Sequence, residues 1–447
     1  MKKLYIICIS LCLSTLSMAQ QNLTLEQVKK FAVEHNINMR SADNTIEQAQ
    51  EQKKEALTNY FPHINATGFG FKSDKDMIKK NINTTDLLPA SLLKYIPGDV
   101  VADIPSTVPV NFLDRGIMGG LTAIQPVFMG GQIVNGVKLA EVNVEACKLR
   151  RGTALNEVTL TAEQYYWQII CLKEKNKTMN IISDMLKSLE KDVDMGVKAG
   201  VSMRNDLLQV QIRENEIASN LIKLQNSLKL SRMVLAQYIG MNGQNVDVNM
   251  SLDPSVTPDY PTSLKVDHDS AVSCTWEYKL LQKNVEAMTL QRKMEVGKNL
   301  PFVGIGVGYN YYDMKEMNNK FCTTFATISI PISDWWGGSH AIKQKRLAEE
   351  NAAEQLTDNT QLLEIRMQKN WNDVDDAYKQ LQLAKKSVEQ SRENLRLEKD
   401  YYRAGTVTMS DLLNAQQQYQ QSCDRYSDAY AELQIKISEY KQSVGEY

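Results

Sequence analysis

Two hydrophobic patterns alternate along the chain, and each predicts a different kind of element. In the first, every second residue is apolar, which places the apolar side chains on one face of a strand. The clearest example has Val303, Ile305 and Val307 on one face and glycines at the positions between them. Alternation of this kind predicts four strands, at about 61–72, 117–128, 301–312 and 322–332.

In the second pattern, long segments carry apolar residues every three or four positions. Proline is absent from 127 to 253 and from 332 to 447, and an interior proline would cost a helix about 3 kcal/mol. The first helix would be roughly 100 Å long, which indicates a coiled-coil-like assembly. Long helices are predicted at about 132–197, 202–238, 339–403 and 408–444.

The order of hairpin, long helix, turn and long helix occurs twice, so the chain predicts a duplicated architecture. The divisions are a first repeat at 20–241, a linker at 242–262 and a second repeat at 263–447. Shorter helices are predicted at about 25–35, 38–57, 263–271 and 277–296. A long loop is predicted over 74–115, which contains several prolines.

The same turn pattern joins the long helices in both repeats. Gly200 and Gly405 each follow an alanine and precede Asp-Leu-Leu at the same spacing. Glycine ends a helix readily because it adopts the left-handed conformation. Ser202 and Thr408 are predicted to cap the next helices, and the aspartate in each first turn suits the helix dipole.

The last two long helices carry heptad seams, which predict that neighbouring helices pack knobs into holes. The seam of the final helix is rich in tyrosine, whereas the seam before it is rich in small residues. Small residues facing large ones let helices lie side by side in the wall of a hollow cylinder, whereas a solid bundle favours Leu and Ile. An elongated coiled coil would explain the seams but not the glycine-lined strands.

Composition excludes several functional classes. The chain has 51 basic and 53 acidic residues and a net charge of -2, so it lacks the basic surplus of a nucleic-acid-binding protein. The five cysteines after residue 19 are scattered, so neither a metal site nor a disulfide framework is predicted. No nucleophile–base pair or phosphate loop is present, because the glycines of 304–308 belong to a strand. We therefore expect neither an enzyme nor a cofactor.

The N-terminus has the pattern of a secretory signal peptide over residues 1–19. Two lysines precede an apolar run that ends in a small-residue cleavage site. Cys8 and Cys12 lie in this run without the small residues that precede a lipoprotein cysteine, so no lipid anchor is expected. The protein is predicted to be exported.

The strand faces are typical of an outer-membrane β-barrel, with apolar and tyrosine residues opposite glycine or small polar residues. Four strands per chain cannot close a barrel, because known barrels start at about eight. An open edge in lipid costs several kcal/mol for each unsatisfied backbone group. Two copies would give eight strands and a filled interior, whereas three would give twelve and a lumen, so we predict a homotrimer. The alternative is an exported structural coiled coil, such as an adhesin-like spacer, without a pore.

The ordered set of motifs resembles the TolC family of outer-membrane efflux proteins. The motifs are the duplicated halves, the two turns, and the strand ends Gln125-Pro126-Val127-Phe128 and Pro331-Ile332 with Gly-Gly downstream of each. The resemblance implies an α+β membrane protein: a trimeric twelve-stranded β-barrel, four strands per chain, continued by a long α-helical barrel. Such a channel would lie in the outer membrane of a Gram-negative bacterium and extend into the periplasm.

The resemblance also implies a function and partners. The protein would be the exit duct of a tripartite efflux or type I secretion system and would catalyse no reaction. Its partners would be outer-membrane lipid, a periplasmic adaptor (membrane fusion) protein and an inner-membrane transporter of the RND, ABC or MFS type. The cargo stays open between drugs, with a role in multidrug resistance, metal ions and secreted polypeptides.

By the same resemblance, a pore gate would lie at the helix tips. Asp411 matches the first residue of an acidic ring, and Asn414 stands where the second acidic residue is expected. Tyr402 matches a tyrosine that binds an acidic partner, here Asp206, and Val407 replaces a basic residue of the latch. The alternative is that Asp206 and Asp411 only stabilise helix starts. The tip turns and adaptor-docking residues would be Gly200, Gly405, Leu207, Leu208, Leu412 and Leu413.

Overall fold

The computed structural model describes residues 21–75, 77–83, 106–112, 115–243, 245–252, 258–314 and 317–446. The expected signal peptide at 1–19 lies outside these residues, and so does the middle of the predicted loop. The described chain is an α+β structure in which helices predominate.

Short elements come first. Strand β1 (Gln21–Leu23) leads into helix α1 (Leu25–His35), which is followed by α2 (Ile37–Thr58). The Thr24 hydroxyl accepts from the Gln27 N–H at 3.3 Å, and Gln27 Oε1 accepts from the Thr24 N–H at 3.0 Å. This capping box fixes where α1 begins.

Strands β2 (His63–Lys72), β3 (Ile78–Asn83), β4 (Thr107–Phe112) and β5 (Arg115–Met129) follow. Strands β3 and β4 are antiparallel partners, so the prediction that the whole of 74–115 is a loop was wrong. The pattern concealed them because β3 consists mostly of lysine and asparagine, and β4 contains a proline, which sheets tolerate only at edges or bulges.

Helices α3 (Gln132–Lys198) and α4 (Arg204–Tyr238) precede strand β6 (Val246–Val248). Strand β6 pairs in parallel with β1, and all three of its residues are buried. The predicted linker at 242–262 therefore contains a strand that belongs to the core. Three residues are too few to show a period, and so the sequence pattern missed it.

The helix predicted at 263–271 is a 3-10 turn at Thr262–Leu264 and one short helix, α5 (His268–Ala271). Helix α6 (Trp276–Lys298), strands β7 (Phe302–Met314) and β8 (Met317–Ser329), and helices α7 (Asp334–Arg403) and α8 (Met409–Ser443) complete the chain. Strand β8 begins five residues before its predicted start at 322 and ends three residues before its predicted end at 332. Helix α7 begins at Asp334 rather than at 339. Within the described ranges, no helix is both long and apolar enough to cross a bilayer.

The chain divides into two compact units. The helical unit contains Met1–Ala49, Asn143–Val285 and Asn351–Tyr447, and the sheet unit contains Gln50–Val142 and Glu286–Glu350. Each unit takes segments from both halves of the sequence. The compact units are therefore not the predicted repeats, and each core is built jointly by the two repeats.

In the sheet unit, four long strands form an antiparallel sheet in the order β2-β5-β7-β8. The residues of one row across the sheet share a face, as do the Cα partners Ala66, Leu121, Tyr309 and Cys322. The aliphatic face comprises Ile64, Ala66, Ile117, Leu121, Ala123, Ile305, Val307, Tyr309, Ala326 and Ile328. The glycine face comprises Thr67, Phe69, Met118, Gly120, Gly304, Gly306, Gly308, Asn310, Tyr312, Phe321, Thr323 and Phe325.

Glycine allows one close backbone approach in this unit. Gly130 and Gly131, with φ of 59° and 77°, turn the chain from β5 into α3. A Cβ on Gly130 would collide with the backbone of Gly297 at the end of α6. The corresponding Gly337 and Gly338 have no positive φ and lie inside α7, so the two Gly-Gly pairs have different roles.

In the helical unit, the main core gathers aromatic side chains from several helices, among them Trp167, Trp371, Tyr426 and Tyr440. A buried carboxylate, Glu163, is fully engaged there. It pairs with the Lys29 ammonium at 2.8 Å and accepts from Trp167 Nε1 at 3.2 Å and the Ser438 hydroxyl at 2.7 Å. Such complete pairing is what makes a buried charge tolerable.

Candidate functional site

The first predicted turn joins α3 to α4 through a left-handed glycine. Gly200 has φ of 77°. Its N–H donates to the Val197 carbonyl at 3.1 Å, and the Val201 N–H donates to the Gly196 carbonyl at 2.9 Å. This pair of bonds is the Schellman motif, which satisfies the last carbonyls of a helix.

The second turn, between α7 and α8, repeats this geometry. Gly405 has φ of 73°. Its N–H donates to the Tyr402 carbonyl at 3.0 Å, and the Thr406 N–H donates to the Tyr401 carbonyl at 3.0 Å. A Cβ on Gly200 or Gly405 would meet no atom within 4 Å, so backbone conformation, and not space, selects glycine.

The helices that leave the two turns are capped differently. Thr408 and Asp411 form a capping box: Thr408 Oγ1 accepts from the Asp411 N–H at 3.3 Å, and Asp411 Oδ2 accepts from the Thr408 N–H at 3.0 Å. At the first turn the N-cap is Met203, without a side-chain hydrogen bond. The prediction that Ser202 caps α4 was therefore wrong. The helix begins one residue too late for it, and Ser202 Oγ instead lies close to Gly196.

Both turns pack onto one hydrophobic cluster in the helical unit. This tip cluster comprises Ile182, Leu186, Val193, Leu207, Val210, Ile217, Leu395, Met409, Leu412 and Ala415. The first leucine of each Asp-Leu-Leu motif, Leu207 or Leu412, is buried in it. Leu413 packs against the cluster, whereas Leu208 is exposed. The fold thus brings the two predicted turns together.

Tyr402 and Asp206 interact across this cluster. The Tyr402 ring packs against the tip cluster. Burial, and then the negative charge of Asp206, raise the pKa of the Tyr402 hydroxyl. Within the described part of the chain, no hydrogen bond joins the two side chains. In one chain, burial and the nearby charge of Asp206 therefore keep the Tyr402 hydroxyl protonated, without a hydrogen bond between the two side chains.

Asp411 and Asn414 are both exposed at the start of α8. The Thr408 hydroxyl donates to Asp411 Oδ2 at 2.6 Å. This bond and the backbone bond from Thr408 lower the pKa of Asp411, so its carboxyl stays ionised. Both bonds use the same carboxylate oxygen, so capping leaves the negative charge of Asp411 exposed to solvent.

A cleft of about 350 Å³ opens beside the second turn. Its walls include Met185 and Leu189 of α3, Tyr402 of α7 and Leu412 of α8. Gln416 also lines it, is 2% exposed, and has an Oε1 without a partner in the described residues. In the sequence, Gln416 falls at a seam position of the final long helix, between Leu412 and Tyr419, and a polar residue in such a seam was the available signal.

A second polar site in α8 was missed from sequence. Burial, and then the charge of Asp428, raise the pKa of Asp424 to about 6, against an opposing effect of Lys175. The Lys175 ammonium pairs with the Asp428 carboxylate at 2.8 Å. No three His, Cys, Asp or Glu side chains in the described ranges are grouped to hold a metal ion.

Comparison with known proteins identifies the family. The model of the outer membrane efflux protein family matches residues 30–241 and 281–446. These two segments hold both turns, all four long helices and all of the four-stranded sheet.

The chain belongs to the outer membrane efflux protein family. This membership confirms the resemblance, the outer-membrane location, the efflux function and the expectation that the chain is not an enzyme. No curated protein matches the sequence.

Solved structures agree with this outer membrane efflux protein in fold. The outer-membrane channel OprN is 16% identical, covers 95% of this chain and 90% of its own, and has a TM-score of 0.74. CusC is 13% identical, the match covers 96% of this chain and 95% of CusC, and the TM-score is 0.76. VceC from Vibrio cholerae is 11% identical, the match covers 94% of this chain and 96% of VceC, and the TM-score is 0.72.

Proposed function

We propose that three copies of this chain share one twelve-stranded β-barrel and one helical tunnel, and that cargo leaves the cell through them. The observation that carries the proposal is the pair of sheet edges. In the described sheet, β2 and β8 are the outermost strands. Their outward N–H and C=O groups need partners in lipid, where each unsatisfied group costs several kcal/mol.

The faces of the sheet support the same arrangement. On the aliphatic face, Ile64, Leu121, Ile305 and Ile328 are more than half exposed. An exposed apolar face of this size is expected against lipid tails rather than water. The glycine face, where glycines and hydroxyl and amide side chains stand among aromatic rings, would line the lumen.

A stripe on α4 supports contact between copies in the helical unit. Leu208, Ile212, Ile222, Leu230 and Met233 are all exposed in one chain. At 100° per residue they fall on one side of the helix. In the trimer this stripe would pack against a helix of the next copy, which hides apolar surface that a lone chain leaves in water.

For the helix tips we propose docking of a periplasmic adaptor that links the channel to an inner-membrane transporter of the RND, ABC or MFS type. The first turn exposes Val201 and Met203 to 81% and 73%, and Leu208 continues this apolar surface. Exposed apolar side chains held on a rigid turn suit an adaptor surface. The Schellman bonds at Gly200 and Gly405 would hold that surface in shape.

For the gate we propose that three copies of Asp411 surround the axis, with Asn414 in the turn above, and attract cations. The exposed, ionised Asp411 carboxylate supports this role. Tyr402 would hold the resting tips together by donating a hydrogen bond to Asp206. Burial and the nearby negative charge of Asp206 raise the pKa of the Tyr402 hydroxyl, so it keeps the proton that it would donate, which supports this role.

Cross-linking between β2 and β8 of different copies tests the shared barrel. Cys322 on edge strand β8 is free and exposed, and Ala66 on β2 shares its face. In Ala66→Cys, a short bis-maleimide should link Ala66→Cys of one copy to Cys322 of the next and give covalent dimers and trimers. The register between β2 of one copy and β8 of the next is not defined by a single chain. Ile64→Cys and Gly68→Cys, which lie on the same face as Ala66, therefore test the neighbouring registers.

The matched control is Ala66→Cys combined with Cys322→Ser, which should give monomers only. Cys274 is also exposed, and this control keeps it in place. If cross-linked species persist in this control, which lacks Cys322, the links are formed by another thiol. Monomers from the whole scan would refute the shared barrel.

A further inference from the structure

We propose that the glycine face holds a binding station for a flat aromatic molecule with an N–H or O–H donor. The station is a cavity of about 340 Å³ that is lined by all four strands of the sheet, toward the end where β7 meets β8. The inference rests on the proposed function, since it needs this face to line the lumen, and it adds a cargo class to it.

The walls of the cavity are large and mostly aromatic. Phe69 of β2, Met118 of β5, Tyr312 of β7 and Phe321 of β8 converge on it. The Tyr312 and Phe321 rings lie 6.2 Å apart at 65°, and Phe69 is stacked on Phe71 at 5.9 Å. Rings at these spacings leave faces and edges free for a further ring.

The floor of the cavity is Gly120, and one polar group stands over it. A Cβ on Gly120 would lie 2.6 Å from Asn310 Oδ1, so any other residue would displace the amide. Asn310 Nδ2 donates to the Thr323 hydroxyl at 3.4 Å, which orients the amide. Among the described residues, no donor reaches Asn310 Oδ1, so this oxygen can accept a hydrogen bond from a ligand.

The chemistry of the lining selects among the cargo classes. The lining contains no carboxylate, histidine or thiol, so it offers nothing that would hold a metal ion. A water-filled barrel is expected to have a polar interior, whereas here three rings and a methionine meet at one level. Ligand cavities of this size with an apolar lining and few polar groups are typical small-molecule sites.

The station should bind weakly, because cargo must also leave it. Each cavity is assembled within one chain, so three would surround the lumen at the same height. An aromatic molecule would therefore slow and reduce ion flow as it passes, without sealing the pore.

Single-channel recording in planar bilayers tests the station, with two probes of the same skeleton. The first is 2-naphthol, which has aromatic rings and a hydroxyl donor, and the second is 2-decalol, its saturated counterpart. Added on the barrel side, 2-naphthol should produce resolved partial blocks, whereas 2-decalol should produce none at the same concentration. This comparison needs no variant, so it does not depend on the folding of one.

Matched variants then locate the site. Tyr312→Leu removes one ring of the station, and Tyr309→Leu removes a ring from the opposite face of the same strand. The block lifetime of 2-naphthol should fall about five-fold in Tyr312→Leu, the factor that one lost aromatic pair corresponds to, and should not change in Tyr309→Leu.

Ion conductance without any block by 2-naphthol would overturn the station and leave the channel proposal intact. Equal block by both probes, or equal lifetimes in both variants, would overturn it as well. Loss of ion conductance in every preparation would instead refute the channel, and the station with it.

Discussion

Replacing Gly405 by alanine tests whether backbone conformation alone makes the second turn. The residue has φ of 73°, which costs an L-amino acid about 1–2 kcal/mol. A Cβ there would meet no atom within 4 Å, so no steric term adds to this cost. A change of this size corresponds to a roughly 5- to 30-fold increase in local opening.

Hydrogen exchange of the turn amides measures that opening. The reporters are the N–H groups of Gly405 and Thr406, which donate to the carbonyls of Tyr402 and Tyr401. In Gly405→Ala both should exchange about ten-fold faster, while amides in the middle of α7 should keep their rates. Gly200→Ala should give the same result at the Val201 amide, because the two turns share their geometry.

Gly337→Ala is the matched control. Gly337 also has open space for a Cβ but no positive φ, and it lies inside α7. Alanine at this position should leave the exchange of the neighbouring α7 amides unchanged or slow it, since a helical glycine costs about 1 kcal/mol relative to alanine. Unchanged exchange rates of the turn amides in Gly405→Ala would refute the argument from backbone conformation. Faster exchange of the neighbouring α7 amides in Gly337→Ala would show that any added methyl group disturbs the helix.

Three further predictions concern the gate and the polar site of α8. Tyr402→Phe should raise the conductance of the resting channel, measured in planar bilayers, and Tyr401→Phe should not, because Tyr401 is exposed. Asp411→Asn keeps an oxygen for the capping box but removes the charge, so cation selectivity and divalent block should fall without loss of folded channel. Asp424→Asn should stabilise the complex against heating in detergent at about pH 8 but not at about pH 4. Because the pKa of Asp424 is raised to about 6 in the folded protein, the unfolded chain loses this proton at lower pH than the folded protein does. The free energy of unfolding therefore falls as the pH rises from about 4 to about 6, and Asp424→Asn removes that loss.

Equal conductance in Tyr402→Phe and the wild type would remove the tyrosine from the gate. Unchanged selectivity in Asp411→Asn would reduce Asp411 to a helix cap. Equal thermal stability of Asp424→Asn and the wild type at both pH values would show that Asp424 ionises freely in the fold.

The long elements could be predicted because their signals are local and strong. An absence of proline over more than a hundred residues and a glycine before Asp-Leu-Leu leave few alternatives to two helices and a turn. The same holds for the alternation at Ile305 and Val307, since a strand has no other way to separate glycines from aliphatic side chains.

The missed elements depend on partners that are distant in sequence. Strand β6 exists because its three residues pair with β1, more than two hundred positions earlier. Strands β3 and β4 support each other despite polar residues and a proline. No local period reports such pairing.

The candidate site shows the same division. The two glycines were predictable from their own conformational needs, whereas the cap at the first turn was not. One residue of difference in where α4 starts moved the N-cap from Ser202 to Met203. Likewise, the unpartnered oxygens of Gln416 and Asp424 follow from packing between helices, which periodicity does not specify.

Native mass spectrometry of the detergent-purified protein tests the central claim most directly. A barrel that takes four strands from each copy and keeps a lumen should be released as three chains, with no stable monomer or dimer before the chains unfold. A monomer, or a dimer whose eight strands would fill their own interior, would contradict the account.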